Sequence, residues 1–208
     1  MTPAQKRALE ELLPRYGFDP DRGVLNLDAL FGRRAPRLLE IGFGTGTSLL
    51  EMATAHPERD YLGVEVHRPG VGALLLRLEQ AGLTNVRVAC GDAVQVLDHT
   101  IADASLDGVY VFFPDPWHKK RHHKRRLLQP AFVATVAAKL RPGGLFHMAT
   151  DWEDYARHML SVMEGDPEYV NCAGAGAFSP RGERPRTKYE QRGERLGHRV
   201  WDLVFQRR

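Results

Sequence analysis

The sequence predicts an α/β fold in which helices cover both faces of a mostly parallel sheet. Short apolar runs rich in β-branched residues alternate with helix-like stretches along the 208 residues, and this alternation is typical of βαβ units. A glycine-rich turn follows the first apolar run. Acidic residues lie at the ends of three successive runs, where α/β sheets bind their ligands. These observations together predict a ligand-binding α/β protein.

The individual elements follow from the apolar pattern in chain order. The predicted strands, of which the last is antiparallel, cover residues 37–43, 60–66, 85–90, 106–113, 144–150 and 198–206. The predicted helices cover residues 47–56, 69–83, 125–140 and 152–164. We expect one domain over residues 1–208, with an amphipathic extension at residues 1–35 and a mobile substrate loop at residues 171–190.

Composition excludes several classes of protein. Cys90 and Cys172 lie far apart, which excludes a disulfide scaffold and a cysteine-based zinc module and fits a reducing compartment. The first residues lack the apolar core of a signal peptide, and no apolar run approaches the roughly 18 residues of a membrane span. We therefore expect a cytoplasmic protein with no membrane segment, either a monomer or a homodimer.

The charge is concentrated in two segments. The net charge is +3, from 29 Lys and Arg against 26 Asp and Glu. Residues 119–126, KKRHHKRR, contain six of the cations and no acid, and residues 181–208 are also basic, so the remainder is net negative. An acidic body with two basic segments favours a polyanion such as nucleic acid bound at one place. A solvated loop is the alternative for residues 119–126.

The glycine-rich turn contains Gly42, Gly44 and Gly46. Alternate glycines let the backbone turn tightly and let a ligand approach closely. Residue 47 is Thr, whereas the dinucleotide fingerprint requires Gly there, and the phosphate-loop motif is absent from the sequence. A nicotinamide oxidoreductase and a P-loop NTPase are therefore disfavoured. The alternative is that the glycines only allow helix and strand to pack closely.

Three acids surround this turn. Glu40, Glu65 and Asp92 lie at successive strand ends, with Glu65 about 20 residues beyond the glycines, where a carboxylate accepts from ribose hydroxyls. Asp92 lies where an adenine would bind. Three carboxylates repel a phosphate ligand but attract a cationic nucleoside. S-adenosylmethionine is such a molecule, and we predict it as the cofactor.

A fourth acid, Asp115, lies between Pro114 and Pro116 and precedes the basic segment directly. The two prolines restrict the backbone, which suits a carboxylate that points into a cleft. A rigid exposed turn is the alternative. The histidines of residues 118–123 show no metal-ligand spacing with carboxylate or cysteine, so we expect no metal. We interpret them as partly protonated side chains that lie beside bound phosphate.

These motifs closely resemble the bacterial tRNA (guanine-N7-)-methyltransferases over about residues 37–208. The glycine turn is generic to class I methyltransferases, whereas the segments that follow it are specific to this family. The resemblance is carried by LLEIGFGTG (38–46), LGVEVHRPGVG (62–72), VYVFFPDPWHKKRHHKRR (109–126), HMATDWEDYA (147–156) and RPRTKYEQRGERLGH (184–198).

The resemblance implies a Rossmann-like class I methyltransferase fold with a seven-stranded sheet. It implies methyl transfer from S-adenosylmethionine to N7 of a guanosine in tRNA, at position 46 of the variable loop. It places the donor contacts at Gly42, Gly44, Gly46, Glu40, Glu65, Asp92 and Asp115. Asp115 is also the catalytic residue that the resemblance implies. Substrate and RNA contacts are implied at Lys119, Arg121, Lys124, Arg125, Arg126, Asp151, Thr187, Lys188, Tyr189 and Glu190.

The chemistry of guanine adds expectations about individual side chains. The N1–H and N2–H₂ edge requires an acceptor, and the candidates are Asp115, Asp151 and Glu190. An extruded base would stack on an aromatic ring. We expect that ring to be Trp117 or Tyr189, and we expect Trp152 and Trp201 in the core. Two alternatives remain open, namely a class I methyltransferase with another substrate and an RNA-binding module with a vestigial methyltransferase fold.

Overall fold

The computed structural model describes residues 1–186, 190 and 199–208. Within these residues, seven strands form one sheet: β1 (Arg37–Ile41), β2 (Asp60–Glu65), β3 (Val86–Cys90), β4 (Leu106–Phe112), β5 (Leu140–Thr150), β6 (Tyr169–Asn171) and β7 (Trp201–Arg207). Their order is β3-β2-β1-β4-β5-β7-β6. The first five strands are parallel, and β7 runs antiparallel to both β5 and β6. The predicted α/β class and the antiparallel last strand are confirmed.

Eight α-helices are present in the described part of the chain: α1 (Pro3–Glu11), α2 (Leu13–Tyr16), α3 (Leu27–Phe31), α4 (Thr47–Ala55), α5 (Arg68–Ala81), α6 (Ala93–His99), α7 (Pro130–Lys139) and α8 (Glu153–Glu164). Short 3₁₀ helices span Pro20–Arg22 and Lys120–Arg125. None of the helices searched in the described residues is long and apolar enough to span a bilayer.

Helices cover the sheet on two sides. One apolar cluster joins α4 and α5 to the sheet through residues such as Leu49 and Leu74, and the other joins α6, α7 and α8 through residues such as Val96 and Val136. Side chains buried on both faces explain the nearly continuous apolar strands of the sequence. The N-terminal extension forms α1 to α3, and α1 packs on α5, where the backbone of Gln5 leaves no room for a side chain at Gly72.

Some predicted boundaries were wrong. The helix predicted over residues 125–140 begins only at Pro130, because Gln129 before it is extended, as a residue preceding proline usually is. Strand β5 begins at Leu140 and contains the Pro-Gly-Gly turn within an irregularity in its pairing with β4. Helix α6 and strand β6 were not predicted.

The carboxyl ends of the parallel strands share one edge of the sheet. Strand β7 begins at this edge, since Trp201 pairs with Thr150 at the end of β5. The loops that follow β1, β2, β3, β4 and β5 therefore lie along the same edge as the start of β7, which is next to the end of β5. Residues 171–184, expected to be part of a mobile loop, are attached to β7 by hydrogen bonds such as that from the Ser179 N–H to Asp202 O, 2.8 Å.

Candidate active site

The glycine-rich turn after β1 has a left-handed backbone at each glycine. Gly42, Gly44 and Gly46 have φ values of 71°, 59° and 73°, which side chains rarely adopt. Their N–H groups all donate within the protein: those of Gly42 and Gly46 to backbone carbonyls, and that of Gly44 to Glu65 Oε2 at 2.7 Å. A phosphate-binding loop requires such groups to be available. A carboxylate takes the place of a phosphate here.

Two of the three glycines leave room for a ligand. A Cβ added at Gly42 or Gly44 would meet nothing within 4 Å, whereas one added at Gly46 would lie 2.6 Å from the side chain of Leu74 in α5. Gly46 therefore serves helix packing. Gly42 and Gly44 form the open part of the turn.

The carboxylates after β2 and β3 are held by backbone N–H groups. Glu65 is buried, and its second oxygen accepts from the His67 N–H at 2.8 Å. Asp92 is exposed and caps α6, with Oδ1 accepting from the N–H groups of Val94 and Gln95 at 2.8 and 3.3 Å. Each carboxylate keeps further lone pairs for a ligand, because it has about four acceptor sites.

Glu40 in β1 is buried and only partly hydrogen-bonded. Its side chain is 2% exposed, Ser48 Oγ donates to Oε1, and Oε2 has no hydrogen-bond partner in the described part of the chain. Burial raises the pKa of Glu40 to about 7, opposed by the Ser48 hydrogen bond and reinforced by the charge of Glu65. A cation bound in the turn would stabilise the charged form. These carboxylates therefore fit the cationic molecule S-adenosylmethionine.

The turn after β4 has a constrained backbone. Phe113 and Trp117, which flank the Pro-Asp-Pro sequence, have positive φ values of 54° and 45°. A non-glycine residue in this region costs of order 1–3 kcal/mol and is typical of functional sites. Phe113 donates its N–H to Ala149 O of β5 at 2.7 Å, so the turn starts from a fixed point. Asp115 is exposed at its tip.

The basic segment follows immediately. Four of its five predicted RNA contacts are exposed, and none of the four forms a salt bridge with a carboxylate in the described ranges: Lys119, Arg121, Lys124 and Arg125. Arg125 packs on the ring of Trp117, 5.1 Å from its centroid. The segment therefore presents several cations to solvent beside Asp115.

The end of β5 adds a second acid and an aromatic ring. Asp151 is half-buried. Trp152 was expected in the core, but it is 39% exposed, and its ring lies 4.1 Å from that of His118. It precedes α8, and its N–H is hydrogen-bonded to Thr150 Oγ1, so the backbone turns the residue outward. Trp152 is thus an available stacking surface beside Asp151.

Comparison with known proteins agrees with this geometry. A family described as "Putative methyltransferase" matches residues 34–203. The tRNA (guanine-N(7)-)-methyltransferases of Alcanivorax borkumensis and Alkalilimnicola ehrlichii are 58% and 61% identical to this chain, over all of it and over 87% and 89% of their own lengths. The chain belongs to the bacterial tRNA (guanine-N7-)-methyltransferase family.

Solved structures of distant proteins show the same fold. The 16S rRNA methyltransferase KamB superposes with a TM-score of 0.65 at 16% identity, over 87% of this chain and 92% of that one. A Haemonchus contortus phosphoethanolamine N-methyltransferase in complex with S-adenosylmethionine has a TM-score of 0.54 at 14% identity, over 97% of this chain and 52% of that one. The fold is that of the class I methyltransferases.

One residue of this family member does not lie where the resemblance implied. Arg126 was expected to contact RNA, but it is only 3% exposed. Its Nε donates to Pro116 O at 2.9 Å, its Nη2 donates to Asp154, and its guanidinium lies 4.7 Å from the centroid of the Tyr155 ring. The Arg126 hydrogen bond lowers the pKa of Asp154. Arg126 therefore joins the Pro-Asp-Pro turn to α8 and cannot reach a phosphate.

The predicted substrate residue Glu190 is also buried, at 3% exposure. Both of its carboxylate oxygens accept from Arg184, at 2.7 and 3.1 Å, so it does not present them to a base. Thr187, Lys188 and Tyr189 lie outside the described residues. Sequence reasoning missed Arg184 and its partner Asp202. The available signal for Asp202 was an acid within the otherwise apolar residues 201–205 of β7.

Proposed function

We propose that this chain transfers the methyl group of S-adenosylmethionine to N7 of a guanosine in tRNA, at position 46 of the variable loop. The observation that carries the proposal is a juxtaposition at one edge of the sheet. The glycine-rich turn after β1 uses its N–H groups within the protein, and the carboxylates around it favour a cation. Beside it lies the Pro-Asp-Pro turn after β4, which continues into exposed cations. Such a site suits a cationic donor and an anionic acceptor.

The reaction requires positioning more than proton transfer. Bound S-adenosylmethionine supplies an electrophilic methyl group: its carbon–sulfur bond breaks as the bond to N7 forms, and the positive charge passes from sulfur to the purine. Guanine N7 carries a lone pair in the ring plane and no proton. The protein therefore needs no general base to create the nucleophile. Its task is to hold N7 in line with the methyl group.

Asp115 and Asp151 are the residues we assign to the guanine. They follow neighbouring strands β4 and β5, and their carboxylates would accept from N1–H and N2–H₂ and stabilise the charge that develops on the ring. Arg126 fixes the distance between their two loops through Pro116 and Asp154. We assign base stacking to Trp152, because its ring is exposed and Trp117 is covered by Arg125.

The exposed cations Lys119, Arg121, Lys124 and Arg125 would bind phosphates of the tRNA, which is a cytoplasmic substrate. Electrostatic binding of this kind weakens steeply with salt. We expect tRNA affinity to fall at least tenfold between about 50 and 200 mM salt. Unchanged affinity would contradict the phosphate assignment.

The proposal is tested by incubating the protein with labelled S-adenosylmethionine and unfractionated tRNA and then mapping the label. We expect 7-methylguanosine in the variable loop. Label in another base would contradict the activity, and 7-methylguanosine at another position would contradict only the assigned site. Label appearing in ribosomal RNA and not in tRNA would favour a different substrate within the same fold.

A variant of the acidic turn tests the catalytic assignment. Asp115→Ala should fold normally, because the side chain is exposed, and should lose turnover by roughly 10²-fold or more. Circular dichroism checks folding and single-turnover assays check transfer. Asp98→Ala, which changes an exposed acid at the far end of α6, is the control. Wild-type turnover in Asp115→Ala would exclude a catalytic role for Asp115.

A further inference from the structure

A buried ionic cluster lies beneath the proposed substrate site, and neither the assigned reaction nor the donor uses it. Its centre is Arg184, whose side chain is fully buried. Nε donates to Asp202 Oδ1 at 2.6 Å and Nη2 donates to Asp202 Oδ2 at 2.9 Å. Arg184 Nη1 and Nη2 also donate to the two carboxylate oxygens of Glu190. His147 completes the cluster, with Nε2 at 2.8 Å from Asp202 Oδ1.

The cluster is adjacent to the acidic turn. The Arg184 guanidinium lies 5.6 and 5.4 Å from the ring centroids of Phe112 and Phe113, and Phe113 directly precedes the Pro-Asp-Pro sequence. Asp202 pairs with Ala149 in β5, two residues before Asp151. One guanidinium thus contacts the ends of three elements of the site: β4, the start of β7 and the segment that ends in Glu190.

The charges of the cluster are set by these contacts. Burial raises the pKa of Asp202, but the hydrogen bonds from His147 and Arg184 outweigh it and hold the pKa below its ordinary value. For Arg184, burial lowers the pKa, and the hydrogen bonds to Asp202 and Glu190 more than reverse that effect. Asp202 and Arg184 are therefore charged at neutral pH. A charged buried cluster has a definite geometry, because leaving any of its charges without a hydrogen-bond partner would cost several kcal/mol.

We propose that Arg184 is a positioning residue for methyl transfer: it anchors Glu190 to the end of β4 and the start of β7. The proposal rests on the proposed function for the substrate. It assigns Glu190 to Arg184 and not to the guanine. Arg184 and Glu190 lie on either side of the family's Thr-Lys-Tyr sequence, six residues apart in the chain, and their ion pair joins these two residues.

The test is the variant Arg184→Gln, assayed for tRNA methylation, for donor binding by calorimetry and for amide hydrogen exchange of the peptide that covers residues 185–190. We expect kcat/KM for tRNA to fall roughly tenfold or more and exchange in that peptide to accelerate. Donor affinity should change less than about twofold, because Gly44 and Glu65 do not contact the cluster. A variant with wild-type turnover, or one that loses donor binding in parallel with turnover, would overturn the proposal.

Glu190→Gln keeps the proposal testable if Arg184→Gln does not fold. It retains the size of the side chain and one acceptor oxygen, and we expect the same pattern of effects. If Arg184 acts through Glu190, the double variant should be no less active than the worse single variant. Independent, multiplying losses would show that Glu190 contacts the substrate directly and would refute the anchoring role.

Glu183→Gln is the matched control. It changes the neighbouring residue, whose carboxylate is exposed and, among the residues that the structure describes, forms only long contacts to His56 and Arg59, 3.9 and 3.8 Å. Its turnover and exchange should match the wild type. The two hypotheses fail separately: a wild-type protein that makes no 7-methylguanosine contradicts the proposed function, while unchanged exchange of residues 185–190 in Arg184→Gln contradicts the anchoring.

Discussion

Two buried arginine–aspartate pairs occupy opposite edges of the sheet, and they differ in what else each arginine contacts. At the amino ends of the strands, Arg37 and Asp60 begin β1 and β2 as register partners. At the carboxyl edge, Arg184 pairs with Asp202. All four side chains are almost fully buried. Similar buried ion pairs therefore lie at the amino edge and at the carboxyl edge of one sheet.

The remaining contacts separate the two pairs. Arg37 donates to the carbonyls of Arg33 and Ala35 and to Asp28, all within α3 and the loop that joins it to β1. Arg184 donates to Glu190 and packs on the end of β4. The first pair therefore stabilises its own neighbourhood, and the second connects separate parts of the site. A buried ion pair is a structural or a functional feature according to its further partners.

The largest expected effect is at the structural pair. Asp60→Ala should lower the free energy of unfolding by about 3–5 kcal/mol, because it leaves two arginines without their buried partner. Asp28→Ala is the control, and since Asp28 is half-exposed it should cost about 0–1 kcal/mol. Urea denaturation measures both. Equal losses in the two variants would contradict the assigned difference in burial.

Asp202→Asn tests the other pair. It removes the charge from the carboxyl-edge cluster while preserving shape, so we expect a stability loss of about 1–3 kcal/mol. Turnover on tRNA per folded molecule should nevertheless fall roughly tenfold. Asp60→Ala, assayed under conditions where it is folded, should retain its turnover. The comparison would be wrong if activity followed stability equally in both variants.

Glu40 shows what happens to a buried carboxylate that lacks such a pair. Because its pKa of about 7 lies above the ordinary 4.5, the unliganded fold holds a proton that the unfolded chain releases, and stability falls as pH rises through this window. A cationic donor favours the carboxylate, so donor affinity should rise several-fold between about pH 6 and pH 8. Calorimetry in two buffers should detect proton release.

Two variants sharpen that measurement. Glu40→Gln should abolish the pH dependence of donor binding. Ser48→Ala removes the hydrogen bond that lowers the pKa of Glu40, so the rise in affinity should move to higher pH. A donor affinity that is independent of pH in the wild type would exclude Glu40 as the titrating group.

The smallest effects are expected within the basic segment. Lys124→Ala should weaken tRNA binding only several-fold and reduce the salt slope by about 1. Arg126→Gln changes a buried cation two residues away, so it should lower turnover and leave the salt slope unchanged. Affinities measured at several salt concentrations distinguish them. An equal reduction of slope in both would place Arg126 on the RNA-binding surface.

The sequence was sufficient to predict that the glycine turn and the acids proposed to bind the donor lie at one edge of the sheet. The glycines and the acids at strand ends are local features, because a parallel sheet brings consecutive strand ends to one edge. The exposure of most of the basic segment follows from its own run of charges, which is also a local feature. Helix α6, with seven residues, and strand β6, with three, are too short to show a reliable period.

The buried arginines could not be predicted from the sequence. Arg126 ends a run of cations whose other described members are exposed, and Arg184 lies among Pro, Gly and Arg in a segment that is typical of a surface loop. Their burial depends on partners far along the chain, Asp154 and Asp202. Such long-range pairing leaves no periodic signal, and only the folded arrangement identifies it.

The left-handed backbone at Phe113 and Trp117 has a consequence for evolution and design. Ala104 shares this conformation, with φ 50°, but it lies before β4 at the edge of the sheet away from Asp115. Ala104→Gly would relieve about 1 kcal/mol without disturbing the chemistry. The same change at Phe113 would also remove the ring that packs on Arg184. Selection for heat resistance can therefore improve the turn at Ala104 freely, whereas at Phe113 the same gain in stability would cost the contact with Arg184.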